Sequence, residues 1–137
     1  MNESEIKQSE EAVAFLKSRK DEFLLRFADS NHYASDTSLI SVFMAGSPGA
    51  GKTEVSRALL EVVGFHQPPI IIDADEIRTF FKEYNGKNSY IFQAAASLGV
   101  NYLYDYALHH QFNLILDTTF SYKRAVENVE RSLKRNR

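Results

Sequence analysis

Apolar residues recur with helical spacing over the first part of the chain. From about Glu10 to Ala28, Val13, Leu16, Phe23, Leu24 and Phe27 fall near one face, while Glu11, Ser18, Glu22 and Arg26 take the other. That arrangement predicts an amphipathic helix, with Lys20 intruding on the apolar face and Phe15 lying off it. Residues 29–38 are polar, and Ser30, Asn31 and Asp36-Thr37-Ser38 supply turn chemistry, so this stretch reads as a loop. The period then changes. Leu39 to Ala45 is a mainly apolar run that predicts a buried strand, after which Val55, Ala58, Leu59 and Val62 resume i, i+3, i+4, i+7 spacing opposite Glu54, Arg57 and Glu61. Gly64 stops that helix.

Pro68-Pro69 punctuates the chain before Ile70-Ile71-Ile72, a β-branched run that predicts a second buried strand and ends in Asp73-Ala74-Asp75. Ile77, Phe80 and Phe81 predict a helix from Glu76, halted at the turn signal Tyr84-Asn85-Gly86-Lys87-Asn88. A long helix follows from about Ser89 to His110. Phe112 to Leu116 predicts a third strand leading into Asp117-Thr118-Thr119, and Val126, Val129 and Leu133 give helical spacing from about Tyr122 to Lys134. Strands alternating with helices predict an α/β fold, a parallel sheet flanked by helices, with ligands at the carboxyl ends of the strands. The 137 residues suffice for one domain with its own core.

Between the first strand and its helix stand Gly46, Ser47, Pro48, Gly49, Ala50, Gly51, Lys52 and Thr53, a complete Gly-x-x-x-x-Gly-Lys-Thr phosphate-binding loop. The glycines let successive backbone N–H groups turn toward phosphates, and the next helix points its positive end at them. Lys52 neutralises β/γ charge and Thr53 ligates Mg²⁺. The implied ligands are ATP or GTP with Mg²⁺, in a P-loop NTPase-like sheet.

Acids end the other two strands. Were the strand to stay extended through them, Asp73 and Asp75 would lean to one side, and Asp75, further out, suits the base that takes an acceptor hydroxyl's proton. The competing reading for either is a helix cap. Asp117 suits an acid holding Mg²⁺ or its water, with Thr118 and Thr119 able to touch phosphate or sugar. Arg78, at i+3 from Asp75, pairs with it on the helix surface or reaches an anionic substrate.

Composition removes several alternatives. With 44% hydrophobic and 25% charged residues the chain reads as globular. The absence of cysteine excludes disulfides and thiolate metal sites and suggests a cytoplasmic setting. The polar start, Met1 to Glu10, has no signal core, and no apolar stretch is long enough for a membrane span. A net charge of −2 disfavours a large sequence-independent nucleic-acid footprint, and the basic cluster Lys123, Arg124, Arg131, Lys134, Arg135 and Arg137 reads as a solvated helix end. Tyr90, Tyr102, Tyr104 and Tyr106 cannot share one helical face and read as packing residues. His32, His66, His109 and His110 lack metal-ligand spacing.

The order of an N-terminal helix, Gly46 to Thr53, Ile72-Asp73-Ala74-Asp75-Glu76-Ile77-Arg78 and Asn113-Leu114-Ile115-Leu116-Asp117-Thr118-Thr119 resembles the zeta-toxin family of small P-loop kinases, over almost the whole chain. The resemblance implies a phosphotransferase in which Lys52 and Thr53 bind ATP or GTP with Mg²⁺, Asp75 is the base, and Asp117 with Thr119 lines the cleft. It also implies a UDP-amino sugar acceptor, phosphorylated at the 3′-hydroxyl of UDP-N-acetylglucosamine, and a small helical antitoxin as partner. Three stretches depart from the family pattern. Thr79-Phe80-Phe81-Lys82 replaces a His-Pro pair, Asn101 stands at a position expected to carry a carboxylate, and Asp117 to Ser121 lacks an arginine, although Lys123 is close. The family continues past the position of Arg137 with further strands and an arginine-bearing lid, so the resemblance implies an incomplete version of the fold, or one completed by another chain. Two other functions fit the same loop: a kinase for another small hydroxyl compound such as an antibiotic or nucleoside, and a nucleotide-binding module without transfer.

Overall fold

A computed structural model describes residues 1–29, 31–45, 58, 60–118 and 129–135. The chain sorts into two units, each built from two stretches: Met1–Asp29 with Ile72–Tyr106, and Ser30–Ile71 with Ala107–Arg137. The chain thus passes back and forth between them, and neither is a continuous piece of sequence.

In the first unit, α1 spans Glu3–Ser18 and α2 spans Lys20–Phe27. The helix therefore begins about two turns before the apolar pattern does. Its start is a capping box: Asn2 Oδ1 accepts from Glu5 N at 2.8 Å, and Glu5 Oε1 accepts from Asn2 N at 3.0 Å. The expected single helix is broken at Arg19, whose φ of −121° and ψ of 29° leave the helical region. The break resolves both misfits in the sequence pattern. Lys20 opens a new helix and sets its ammonium 4.6 Å from the centroid of the Tyr102 ring, while Phe15 meets Phe80 and Phe81 at 5.6 and 6.2 Å.

The same unit holds α3 (Ala74–Arg78), a 3₁₀ turn (Ser89–Phe92) and most of α4 (Gln93–His109). Helix α3 starts earlier and ends sooner than its apolar residues suggest, because Asp73 caps it and turns follow at once. The link to the 3₁₀ turn uses the expected Asn-Gly chemistry: Gly86 has φ 86°, and Asn85 Oδ1 accepts from Lys87 N at 2.8 Å. Phe23, Ile77, Phe92 and Leu103 are buried. Gly99 on α4 permits this packing, since a Cβ there would meet Ile77 Cγ2 at 2.7 Å and Phe23 Cζ at 3.0 Å. Gly99→Ala is therefore expected to lower stability by about 1–2 kcal/mol despite alanine's better helix propensity, read from denaturant midpoints.

The second unit is organised by strands β1 (Ser41–Ala45), β2 (Ile70–Ile72, its last residue at the boundary) and β3 (Leu114–Thr118), in the sheet order β1-β3-β2. β1 and β3 run parallel, in register from Ser41↔Leu114 to Ala45↔Thr118. The central strand explains its unbroken apolar run, for Leu114, Ile115 and Leu116 are all buried. The outer strands are less covered than expected. Ile71 is 44% exposed, and β1 is half-buried at Ser41, Val42 and Phe43. Before β3, α4 ends in a Schellman arrangement: Gln111 has φ 57°, its N–H donates to Leu108 O at 3.4 Å, and Phe112 N donates to Ala107 O at 2.9 Å. The strand then begins two residues later than the apolar pattern suggests and includes Asp117.

Two helical expectations need correction. Residues 60–62 are helical and Gly64 stops them at φ 70°, yet Ala58 is exposed and Val62 is 81% exposed, so that stripe is not covered among the described residues. Near the C-terminus residues 129–133 are helical, but the inward residue is Ser132, whose hydroxyl lies 3.2 Å from that of Ser41, while Leu133 faces out. Val126 lies outside the described residues.

Candidate functional site

Strand β1 delivers the chain to Gly46 at the carboxyl end of the sheet, the end where a parallel arrangement collects its ligands. Gly46 to Thr53 and Thr119, with the expected roles of Lys52 and Thr53, lie outside the described residues, as does Lys123. What the described part adds is the neighbour. Asp117 is the register partner of Met44, two residues before the first glycine, and adjacent strands lie about 4.8 Å apart. Asp117 is thus a half-buried member of β3 and not a residue beyond it.

A clasp holds the opposite end of this sheet. Asn113, fully buried, accepts at Oδ1 from Ile40 N (2.8 Å) and donates from Nδ2 to Asp36 Oδ2 (2.9 Å) and Gln67 O (3.1 Å). Its own carbonyl accepts from Ile70 N at 2.9 Å. One side chain thus fixes the lead-ins to β1 and β2 against β3. Asp36 completes the clasp, accepting from Ser38 N at 3.0 Å and Gln67 N at 3.2 Å, with His66 Nδ1 3.6 Å away. Sequence reading found the turn at Asp36 but missed its partner. The only available signal was a polar residue at the start of an apolar run.

The Ser38 N–H chiefly, then the Asn113 amide, the Gln67 N–H and His66, hold the Asp36 carboxyl below the usual carboxylate range, against a smaller opposing push from desolvation. A carboxyl depressed in the folded state adds stability above its unfolded value of about 3.9 and loses it as pH falls through the folded value. Asp36→Asn should accordingly be less stable than wild type at neutral pH, and the gap should close below about pH 4. Denaturant midpoints across that range check this, and a gap independent of pH would contradict it.

In the first unit the acids after β2 take separate duties. The chain becomes helical at Ala74, so the two-residue spacing does not carry both carboxylates to one side. Asp73 takes the capping role, its Oδ1 accepting from Asp75 N at 2.9 Å. Asp75 sits in the first turn of α3 with its side chain 70% exposed, and Arg78 Nη1 donates to its Oδ1 at 3.0 Å. The expected ion pair is present, but it is a surface pair on one side alone, because the Arg78 side chain is 8% exposed. Arg78 Nε donates to Ser89 O at 3.2 Å and Nη2 donates to Gln93 Oε1. The guanidinium is committed inside its own unit, which argues for a role in holding Asp75 and against reaching a substrate. Gln93 carried no signal in the sequence.

The remaining candidates settle as packing or surface. Tyr104 is buried, Tyr102 and Tyr106 are half-buried, and Tyr90 is the exception, exposed with its hydroxyl donating to Glu5 Oε2. That bond holds Glu5 below the usual carboxylate range and raises Tyr90. His109 and His110 are exposed. Among the described residues no group of three or more His, Asp or Glu converges on a metal position, and no helix is long and apolar enough to cross a membrane.

Residues 26–137 match the protein family described as Zeta toxin. Among curated proteins none matches the chain. Among solved structures, the chain is similar to one from the PezAT chromosomal toxin–antitoxin system of the human pathogen Streptococcus pneumoniae, with a TM-score of 0.60 and 20% identity. The match takes in 96% of this chain and 53% of that one, so this chain spans about half its length, and at that identity the likeness speaks for the fold alone.

Proposed function

This chain belongs to the zeta toxin family, and on that premise we propose that it is the nucleotide-binding part of a phosphotransferase that moves the γ-phosphoryl group of ATP or GTP to a hydroxyl of a UDP-amino sugar, UDP-N-acetylglucosamine. The same membership supports its action as the toxin of a toxin–antitoxin pair, with a small helical antitoxin as partner.

One observation carries the reading. Strand β1, after which the phosphate-binding sequence begins, pairs at Met44 with Asp117 on the parallel neighbour β3. A backbone cradle next to a carboxylate is the donor set that a triphosphate with Mg²⁺ requires. In this reading the amides of Gly46, Ser47, Gly49, Ala50 and Gly51 face the phosphates and Pro48 shapes the turn between them. Lys52 would neutralise charge, Thr53 and Asp117 would hold Mg²⁺, and Thr119 would line the cleft. Bound there, Mg²⁺ supplies charge neutralisation on the phosphate oxygens.

Asp75 accepts the proton of the acceptor hydroxyl. The acceptor oxygen bonds to the γ-phosphorus, and the bond to the departing nucleoside diphosphate breaks. Little else is asked of the protein, since such transfers depend on positioning and charge.

Asn101, exposed on α4 at a position expected to carry a carboxylate, favours a second acceptor class, another small hydroxyl compound. Incubation with γ-labelled nucleotide and a panel of acceptors decides between them. Label on UDP-N-acetylglucosamine with wild type and none with Lys52→Ala supports the first reading. Label on a different hydroxyl compound alone supports the second, and no label on any acceptor contradicts both.

A further inference from the structure

Buried cations need acceptors, and Arg78 has three: Asp75 Oδ1 on Nη1, the Ser89 carbonyl on Nε, and Gln93 Oε1 on Nη2. Only one of these carries charge. Two neutral acceptors thus aim the planar guanidinium while leaving its charge to Asp75. That carboxylate is exposed, and without a partner it would sample several rotamers. Its backbone is pinned as well, through Asp75 N donating to Asp73 Oδ1 at 2.9 Å. Gln93 is the first residue of α4 and Ser89 opens the preceding 3₁₀ turn, so the clamp ties α3 to the start of α4.

We infer that Gln93, acting through Arg78, is a positioning residue that holds the Asp75 carboxylate in one orientation. The inference rests on the reading of Asp75 as proton acceptor given above. Orientation matters to a base, because transfer needs its oxygen within hydrogen-bond reach of the hydroxyl.

The test reads the guanidinium itself, by ¹⁵N-detected proton exchange on the full chain, with Arg78→Lys assigning the signals. Wild type should show Arg78 Nη protons that exchange more slowly than those of free arginine. Gln93→Met, similar in shape but without an acceptor, should speed exchange about ten-fold at Nη1 as well as Nη2, the equivalent of one hydrogen bond to a charged group. A bond of only local effect would leave Nη1, the side facing Asp75, unchanged. Gln93→Glu, which keeps an acceptor at the same reach, should restore protection. In the transfer assay Gln93→Met should lower kcat about ten-fold at unchanged KM for nucleotide, and Gln93→Glu should recover most of it. Unaltered Nη1 exchange in Gln93→Met overturns the inference. Full turnover in Asp75→Asn instead overturns the role of the base, with the clamp still visible by exchange, so the two failures are distinguishable.

Discussion

Asn113→Asp is expected to lower stability by about 3–5 kcal/mol at neutral pH, and by more than Asn113→Ala. The exchange is nearly isosteric, so a cavity contributes nothing. What changes is the donor: Nδ2, which donates to Asp36 Oδ2 at 2.9 Å and Gln67 O at 3.1 Å, becomes an oxygen facing two acceptors. Two buried carboxylates at that distance cannot both stay ionised, and one must take a proton. Proton uptake on folding makes the variant recover stability as pH falls toward 4, the opposite of the wild-type trend set by Asp36. Asn113→Ala opens a small void and removes the Asn113 hydrogen bonds to Ile40 N and Gln67 O, at about 3 kcal/mol, without that recovery. Denaturant midpoints of both variants at pH 4 and pH 7 separate the two causes. Equal losses at both pH values would show that charge plays no part in the clasp.

Asp75→Asn should reduce phosphoryl transfer by about 10²- to 10⁴-fold, the contribution typical of a positioned base. Asparagine keeps an oxygen able to accept from Arg78 Nη1, so the clamp and the fold should survive. Binding of nucleotide should be unaffected, because no part of the phosphate loop changes. The loss then belongs to kcat and not to KM for nucleotide. Turnover equal to wild type would remove Asp75 from the mechanism.

The parts of this protein that follow local rules were legible from sequence. Alternating periods located the strands, and chemistry specific to a few residues located the stops at Gly64 and Asn85-Gly86, because φ > 0 narrows the choice of residue. Where a general residue does the same work, as at Gln111, sequence carried no warning. The capping box at Asn2 and Glu5 was visible in principle but sits outside the apolar stripe, and the break at Arg19 has neither glycine nor proline to mark it.

The site divides along the same line. The phosphate loop is a local sequence motif, whereas the place of Asp117 opposite Met44 needed strand register. Asp73 and Asp75 looked equivalent until helix α3 assigned one to a cap and the other to Arg78. Asn113 and Gln93 act on residues far away in sequence, through contacts that only folding creates. The family match covers residues 26–137, a range in which these positions fall.

The central claim is that the loop from Gly46 to Thr53 grips a nucleoside triphosphate. Isothermal titration of the folded chain with ATP and with GTP, each with Mg²⁺, tests it most directly. Saturable heat with at least one nucleotide, lost in Lys52→Ala, is the expected result, and a flat titration with both nucleotides would contradict it.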